Sequence, residues 1–110
     1  MKKSDFLKVS VTCPVGDVAD IQKAVGDAGA GRQGNYSHCS FVTTSCTGYF
    51  TPQEGANPAI GKIGEAMVID EVKLEFTCER DKIDLVIAAM LAAHPYEAVG
   101  YDILERLDID

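Results

Sequence analysis

Val9-Ser10-Val11-Thr12-Cys13 and Leu74-Glu75-Phe76-Thr77-Cys78 decide the fold, because they begin two copies of one pattern. Apolar and polar residues alternate in both, which is typical of a strand with one buried face. The correspondence continues when residues 9–36 are laid over 74–101. Apolar residues at helical spacing match: Val18, Ile21, Ala24, Val25 and Ala28 lie over Ile83, Val86, Ala89, Met90 and Ala93. The chain therefore contains two βαβ units.

The pattern predicts four strands and two helices. The strands are predicted at 6–11, 36–46, 67–78 and 98–107, and the helices begin at the N-caps Asp17 and Asp81 and end at Gly29 and His94. Thr47-Gly48 predicts a turn or bulge, and residues 52–65 a long loop. With right-handed crossovers, this order gives an α+β, ferredoxin-like βαββαβ two-layer sandwich with an antiparallel sheet of order 4-1-3-2. At 110 residues, we expect a single domain spanning 1–110.

Charge and cysteine content narrow the partners and the compartment. The net charge is −7, so nucleic acid and anionic membrane surfaces are unfavourable partners. No apolar run follows the N-terminal lysines, so we expect no targeting segment and no membrane span. Four unclustered cysteines then indicate free thiols in the reducing cytoplasm.

A polar cluster at the end of the second helix is the candidate site. The topology places residues 94–97 at the same sheet edge as the 52–64 loop, whose length is unusual for a compact domain. Carboxylates, a histidine and loop backbone groups could bind a small ligand there. The predicted ligand-binding residues are Glu54, Asn57, His94, Tyr96 and Glu97. The alternative is a purely structural role, in which Pro95 ends the helix and Tyr96 packs under the loop.

A metal site is the second possibility. Imidazole, thiolate and carboxylate are ligands for zinc or copper, and the candidate ligands are His38 and His94. The sequence contains no CxxC or HExxH motif to strengthen this interpretation. A divalent metal ion is thus the alternative ligand, and no cofactor is assigned.

Catalytic and nucleotide motifs are weak. Residues 29–34 spell GxGxxG, but they follow a helix and precede a strand, whereas a dinucleotide fingerprint opens a helix. A glycine stop and turn is the better interpretation. Neither a GxSxG elbow nor a thiol with an evident histidine partner occurs, so we predict that the chain is not an enzyme.

Four motifs resemble a known family: residues 34–41, 48–52, 54–61 and 93–102, the last containing His94-Pro95-Tyr96-Glu97. Together they resemble the insert domain of the Nif-three-like (YqfO) dinuclear-metal hexameric proteins, here expected to stand alone. The resemblance implies a fold similar to PII signalling proteins and CutA divalent-cation-tolerance proteins, which are commonly trimeric. In those full-length proteins the dinuclear site belongs to flanking domains, so it does not carry over.

These observations lead to two hypotheses on function. The first is a non-enzymatic regulatory or small-ligand-binding module, and the alternative is a zinc- or copper-binding protein similar to CutA. Self-association is expected as well, because the helices cover one sheet face and the edge strands are open. The preference for a trimer over a dimer comes from the resemblance.

Overall fold

Four strands and two helices alternate along the chain in a computed structural model that describes residues 1–110. The bounds are β1 Lys2–Pro14, α1 Val18–Asp27, β2 Phe41–Phe50, β3 Met67–Glu79, α2 Ile83–Ala93 and β4 Tyr101–Asp108. The strand pairs β2–β3, β3–β1 and β1–β4 are all antiparallel. The sheet order β2-β3-β1-β4 confirms the predicted topology.

The two copies of the sequence pattern have equivalent structures. β1 and β3 each lead into a short 3₁₀ turn, Val15–Asp17 and Arg80–Lys82, and each turn leads into a helix. Asp17 and Asp81 were predicted as N-caps, but neither caps its helix through the side chain. Asp17 occupies the predicted N-cap position of α1, whereas the second 3₁₀ turn contains Asp81 and leaves Lys82 at the N-cap position of α2.

The hydrophobic core lies between the helices and one face of the sheet. Alternating residues of β1 and β3 supply that face, as their patterns predict. The fully buried members are Val9, Val11, Cys13, Leu74 and Cys78 from the strands, with Ile21, Val86 and Met90 from the helices. The opposite face of the sheet has no covering layer within the chain.

The second strand differs most from its prediction. It begins at Phe41 rather than at Tyr36, because residues 28–40 fold back on the end of α1. The Cys39 N–H donates to the Gly31 carbonyl at 2.9 Å, and His38 has a positive φ of 59°. Thr47-Gly48, predicted as a turn or bulge, is paired within β2, and the register shift lies instead between Thr43 and Cys46, where Ser45 has φ +61°. Beyond it β2 continues unbroken to Phe50.

The start of β4, the glycine turn and the lengths of the helices complete the description of the fold. β4 starts at Tyr101 rather than at residue 98, so the residues after α2 are free to form a separate connection. Gly29, Gly31 and Gly34 all have positive φ, which confirms that the GxGxxG stretch is a glycine turn. Neither helix is long and apolar enough to cross a membrane.

Candidate functional site

A cavity of about 460 Å³ lies where the β2–β3 hairpin extends past the end of β1. β1 ends at Pro14, opposite Glu71, whereas β2 and β3 pair onward to Phe50 and Met67. Residues 51–66 connect these two strands, and residues 94–100 return from α2 toward β4. The cavity lies between the hairpin extension, this long loop and the return segment.

The walls of the cavity are mostly apolar, with a few polar groups among them. The rings of Phe50 and Tyr96, two prolines and two carboxylates contribute, but no lysine, arginine or histidine does. The lining residues are Thr12, Tyr49, Phe50, Thr51, Pro52, Gln53, Ala56, Pro58, Ala59, Ile60, Glu71, Tyr96, Glu97, Ala98 and Gly100. This combination of apolar walls and few polar groups is typical of small-molecule sites.

Glu97 connects the return segment to the long loop. Its Oε1 atom accepts a hydrogen bond from the Asn57 backbone N–H at 2.8 Å. The loop also closes on itself, since the Gly64 N–H donates to the Pro52 carbonyl at 2.8 Å. The predicted meeting of the loop with the end of α2 is therefore present, and it is made through one charge-assisted hydrogen bond.

Glu71 is the most buried charged group of the site. Only 9% of its surface is exposed. Its Oε2 atom accepts a hydrogen bond from the Tyr96 hydroxyl at 3.3 Å, while Oε1 lies over Gly48 without a donor. A side chain at Gly48 would collide with the carboxylate, so the glycine leaves the space that Glu71 occupies.

Two neighbouring groups are affected by this buried charge. Burial raises the pKa of the Tyr96 hydroxyl to about 12, with the Glu71 carboxylate adding to the effect. Burial also raises the pKa of the Cys13 thiol to about 11, with smaller contributions from Asp17 and Glu71. Both groups are therefore neutral at physiological pH, so Tyr96 is a hydrogen-bond donor and Cys13 is not a nucleophilic thiolate.

His94 holds the return segment in place. It is 6% exposed, and its Nε2–H donates to the Thr12 carbonyl at 2.7 Å. Its Nδ1 accepts from the Tyr96 backbone N–H at 3.1 Å. Because a carbonyl can only accept and a backbone N–H can only donate, these bonds fix one neutral tautomer. Both ring nitrogens are therefore engaged, and neither has a free lone pair for a metal. The ring packs against the Tyr96 ring, with the centroids 4.9 Å apart.

The other predicted residues lie apart. Glu54 is exposed and does not line the cavity, although its neighbours Gln53 and Ala56 do. His38 is in the loop after α1, where its Nε2 lies 3.0 Å from Asp27 Oδ1. The structure thus separates His38 from His94. No group of three His, Cys, Asp or Glu side chains is positioned to hold a metal ion.

Sequence reasoning missed Glu71, Gly48 and the aromatic wall from Phe50. The signal was weak, because Glu71 reads as one polar residue in an alternating strand. Gly48 was predicted as part of a turn or bulge, whereas it lies inside β2. Only the pairing of Gly48 with Ile69, two residues from Glu71, shows that the glycine and the carboxylate share one face.

The chemistry available in the cavity is hydrogen-bond acceptance and apolar contact. The carboxylates accept bonds from N–H and O–H groups of a ligand, and the rings pack against its body. The Tyr96 hydroxyl is engaged with Glu71 and orients that carboxylate. The arrangement is suited to holding a small molecule with donor groups.

Comparison with known proteins gives strong sequence matches over part of larger proteins. No protein-family model matches the chain. It is 42% identical over 96 residues to a Halalkalibacterium halodurans protein and 43% identical over 96 residues to a Bacillus subtilis protein, both named GTP cyclohydrolase 1 type 2 homolog. Each match covers 87% of this chain and 26% of the relative. The chain therefore spans about a quarter of the length of these relatives.

Solved structures agree with the sequence matches. A Bacillus cereus protein related to NIF3 superimposes with a TM-score of 0.81 at 40% identity, over 98% of this chain and 27% of that protein. CutA from Xylella fastidiosa superimposes with a TM-score of 0.69 at 16% identity, over 97% of this chain and 88% of CutA. The CutA similarity shows the fold alone, and the predicted CutA-like architecture is confirmed.

Proposed function

Because this chain belongs to the NIF3-related family, as a relative of one segment of its longer members, we propose that it is a non-enzymatic module that binds a small ligand. The site is the cavity between residues 51–66 and 94–100. One observation carries the proposal: a roomy cavity holds a buried carboxylate, Glu71, with an oxygen that lacks a donor. Since no buried side-chain oxygen of the chain lacks a partner, this oxygen is open to the cavity, where a donor group of a ligand can reach it.

The regulatory part of the proposal depends on the long loop. Residues 51–66 contribute seven cavity residues, yet their link to the return segment is a single hydrogen bond, from Asn57 to Glu97. A ligand that contacts both sides would hold the loop in one position. The exposed surface of the loop would then differ between the free and bound protein, and a partner could read that difference.

The name of the relatives does not carry over to this cavity. They are called GTP cyclohydrolase 1 type 2 homologs, but the chain spans about a quarter of their length. The cavity presents two carboxylates and no cationic side chain, so it is poorly suited to a triphosphate. Any reaction of the longer relatives would need groups outside this segment.

We further propose that the protein assembles with copies of itself in the cytoplasm, with a trimer favoured over a dimer. Two features support self-association. One face of the sheet is uncovered, and the outer strands β2 and β4 carry exposed apolar side chains such as Phe41, Tyr49 and Leu104. Bare edge strands of this kind are normally covered in natural proteins.

Ligand titration followed by amide NMR tests the proposed binding function. The probes are a panel of nucleotides, organic amines, organic acids and the chlorides of zinc and copper, each added to the full 110-residue chain. We expect a subset to shift the amides of Gly48, Asn57 and Glu97 while leaving Gly34, at the opposite end, unchanged. If no probe shifts the cavity amides at millimolar concentration, the proposal is wrong.

Enzymatic activity is checked in the same samples. We expect GTP and the other nucleotides to remain chemically intact after prolonged incubation with the purified chain. Turnover that disappears in Glu97→Gln would replace the binding module by a hydrolase that acts at this cavity.

A further inference from the structure

We propose that the ligand of this cavity is an organic cation, with an amine or guanidinium group on an apolar or aromatic body and no anionic group. The inference rests on the proposed function, since it names the class of ligand that the same cavity takes. It is drawn from the charges, the unpaired acceptor and the walls of the cavity.

One oxygen of the Glu71 carboxylate has no hydrogen-bond donor within the chain. The side chain is about nine-tenths buried, and the Tyr96 hydroxyl satisfies only Oε2. No cationic side chain contacts this carboxylate, although buried carboxylates are normally paired with a cation or several donors. Oε1 is open to the cavity, since no buried side-chain oxygen of the chain lacks a partner, so an ammonium or guanidinium group there can donate to it and supply the opposite charge.

The charged side chains that line the cavity are all negative. Glu97 adds another carboxylate. Its Oε1 atom accepts the Asn57 N–H, and its Oε2 atom has no hydrogen-bond partner within the chain. The lining includes no lysine, arginine or histidine. An anionic ligand would meet two like charges in a partly desolvated space, whereas a cation would be attracted by both.

The walls of the cavity contain aromatic rings and enclose a large volume. Phe50 and Tyr96 place aromatic rings beside the cavity, 6.3 Å apart between ring centroids. Aromatic faces attract cations and pack against apolar bodies. A volume of about 460 Å³ is large for a bare metal ion but suits an organic molecule.

A bare divalent cation is also a poorer fit on ligand count. Such ions take four to eight ligands in proteins, and the oxygens of Glu71 and Glu97 are already partly used. No third His, Cys, Asp or Glu joins them to form a metal-binding group. The inference therefore commits to an organic cation.

Matched probes that differ in charge test the inference. Phenethylamine, 2-phenylethanol and 3-phenylpropionate share a ring and a short chain but are cationic, neutral and anionic. Tryptamine, tryptophol and indole-3-propionate form a second set. In NMR titrations of the full chain, we expect the amines to shift the Gly48, Asn57 and Glu97 amides and to bind about tenfold more tightly than their neutral counterparts.

Variants show whether the carboxylates cause the selectivity. Glu71→Gln keeps the size of the side chain but removes its charge, and we expect it to weaken amine binding about tenfold while leaving alcohol binding unchanged. Glu97→Gln tests the second carboxylate and retains an oxygen for Asn57. Glu75→Gln is the matched control, because Glu75 is on the same strand but does not line the cavity.

The outcomes separate the inference from the proposed function. Equal or tighter binding of the anions, or amine binding that Glu71→Gln and Glu97→Gln leave unchanged, overturns the organic-cation inference but leaves a ligand site in the cavity. Cavity shifts with zinc alone also overturn it. If neither these probes nor the wider panel shifts the cavity amides, both the inference and the proposed binding function are wrong.

Discussion

Glu97 accepts the Asn57 backbone N–H at 2.8 Å and so joins two segments that are far apart in sequence. We expect Glu97→Ala to release the loop, because no other side-chain hydrogen bond connects residues 51–66 to the rest of the chain. Both groups are exposed, so the free energy of unfolding should fall by only about 0.5–1 kcal/mol. Hydrogen exchange at the Asn57 amide should accelerate clearly in Glu97→Ala.

Glu97→Gln is the control for this prediction. Its amide oxygen can still accept the Asn57 N–H, so exchange at that amide should stay close to the wild-type rate. Unchanged exchange in Glu97→Ala would show that the loop is held by its apolar contacts instead.

His94 is expected to be a structural residue in one fixed tautomer. Its Nε2–H donates to Thr12 and its Nδ1 accepts from Tyr96, so long-range ¹H–¹⁵N correlations at pH 8 should show the Nε2–H form. His94→Ala should lower the free energy of unfolding by about 2–3 kcal/mol, because a buried side chain is removed and two half-buried backbone groups lose their hydrogen bonds. Zinc should leave the His94 resonances unmoved.

His38→Ala serves as the comparison. His38 is partly exposed and pairs with Asp27 at the surface, so its loss should cost less than about 1 kcal/mol. Tight zinc binding that His94→Ala abolishes would contradict the structural role and support the metal alternative.

Gly48 and Glu71 are expected to be energetically coupled. A Cβ at position 48 would collide with the Glu71 carboxylate, so Gly48→Ala should destabilise the protein by about 1–3 kcal/mol. In the Glu71→Ala background the same change should cost much less, because the obstructing group is gone. Urea unfolding of the four proteins measures the coupling. Gly16→Ala, at a position with open space, should be nearly neutral.

Stability should fall in alkali because burial raises the pKa of three acidic groups, Cys13, Cys78 and Tyr96. The pKa of Cys13 rises from 9.0 to about 11 and that of Tyr96 from 10.0 to about 12. A pKa that is higher in the folded state contributes stability below the unfolded pKa and loses it as the pH rises through the folded value. The free energy of unfolding should therefore decline between about pH 9 and 12.

Variants assign this alkaline loss to its sources. Cys13→Ala should flatten the decline between pH 9 and 11, and Tyr96→Phe should flatten it between pH 10 and 12. Cys39→Ala is the control, because this thiol is only partly buried. A decline of the same slope in all the proteins would exclude both groups as its cause.

The sequence predicted the topology well because that part depends on local periodicity. The duplicated pattern of Val9–Cys13 and Leu74–Cys78 identified the buried face of both central strands, and right-handed crossovers then gave one sheet order. The edge strand β2 was predicted less well. Its start depends on the turns before Phe41 and its alternation is interrupted at Ser45, and neither feature is periodic.

The site was predicted only where it depends on topology. Placing the end of α2 beside the long loop followed from strand direction, and the Asn57–Glu97 contact agrees with it. The roles of Glu71 and Gly48 could not be derived, because they depend on the register of β2 against β3 beyond the bulge. His94 could be located, but only its two hydrogen bonds show that it is a structural rather than a ligand-binding group.

Self-association through the uncovered sheet face is the last prediction. Phe41 is opposite Glu75 in the β2–β3 pair, on the face that points away from the core residues Leu74 and Phe76. Phe41 is 77% and Leu104 is 50% exposed, so an isolated chain would leave both edges of this face apolar.

We expect light scattering at micromolar concentration to give a mass of three chains. The double variant Phe41→Asp/Leu104→Asp should reduce it toward one chain, since burying two unpaired carboxylates is unfavourable. Tyr36→Asp, which changes an exposed aromatic residue outside the sheet, should leave the mass unchanged. A wild-type mass of one chain would overturn the prediction, whereas a mass of two would correct only the stoichiometry.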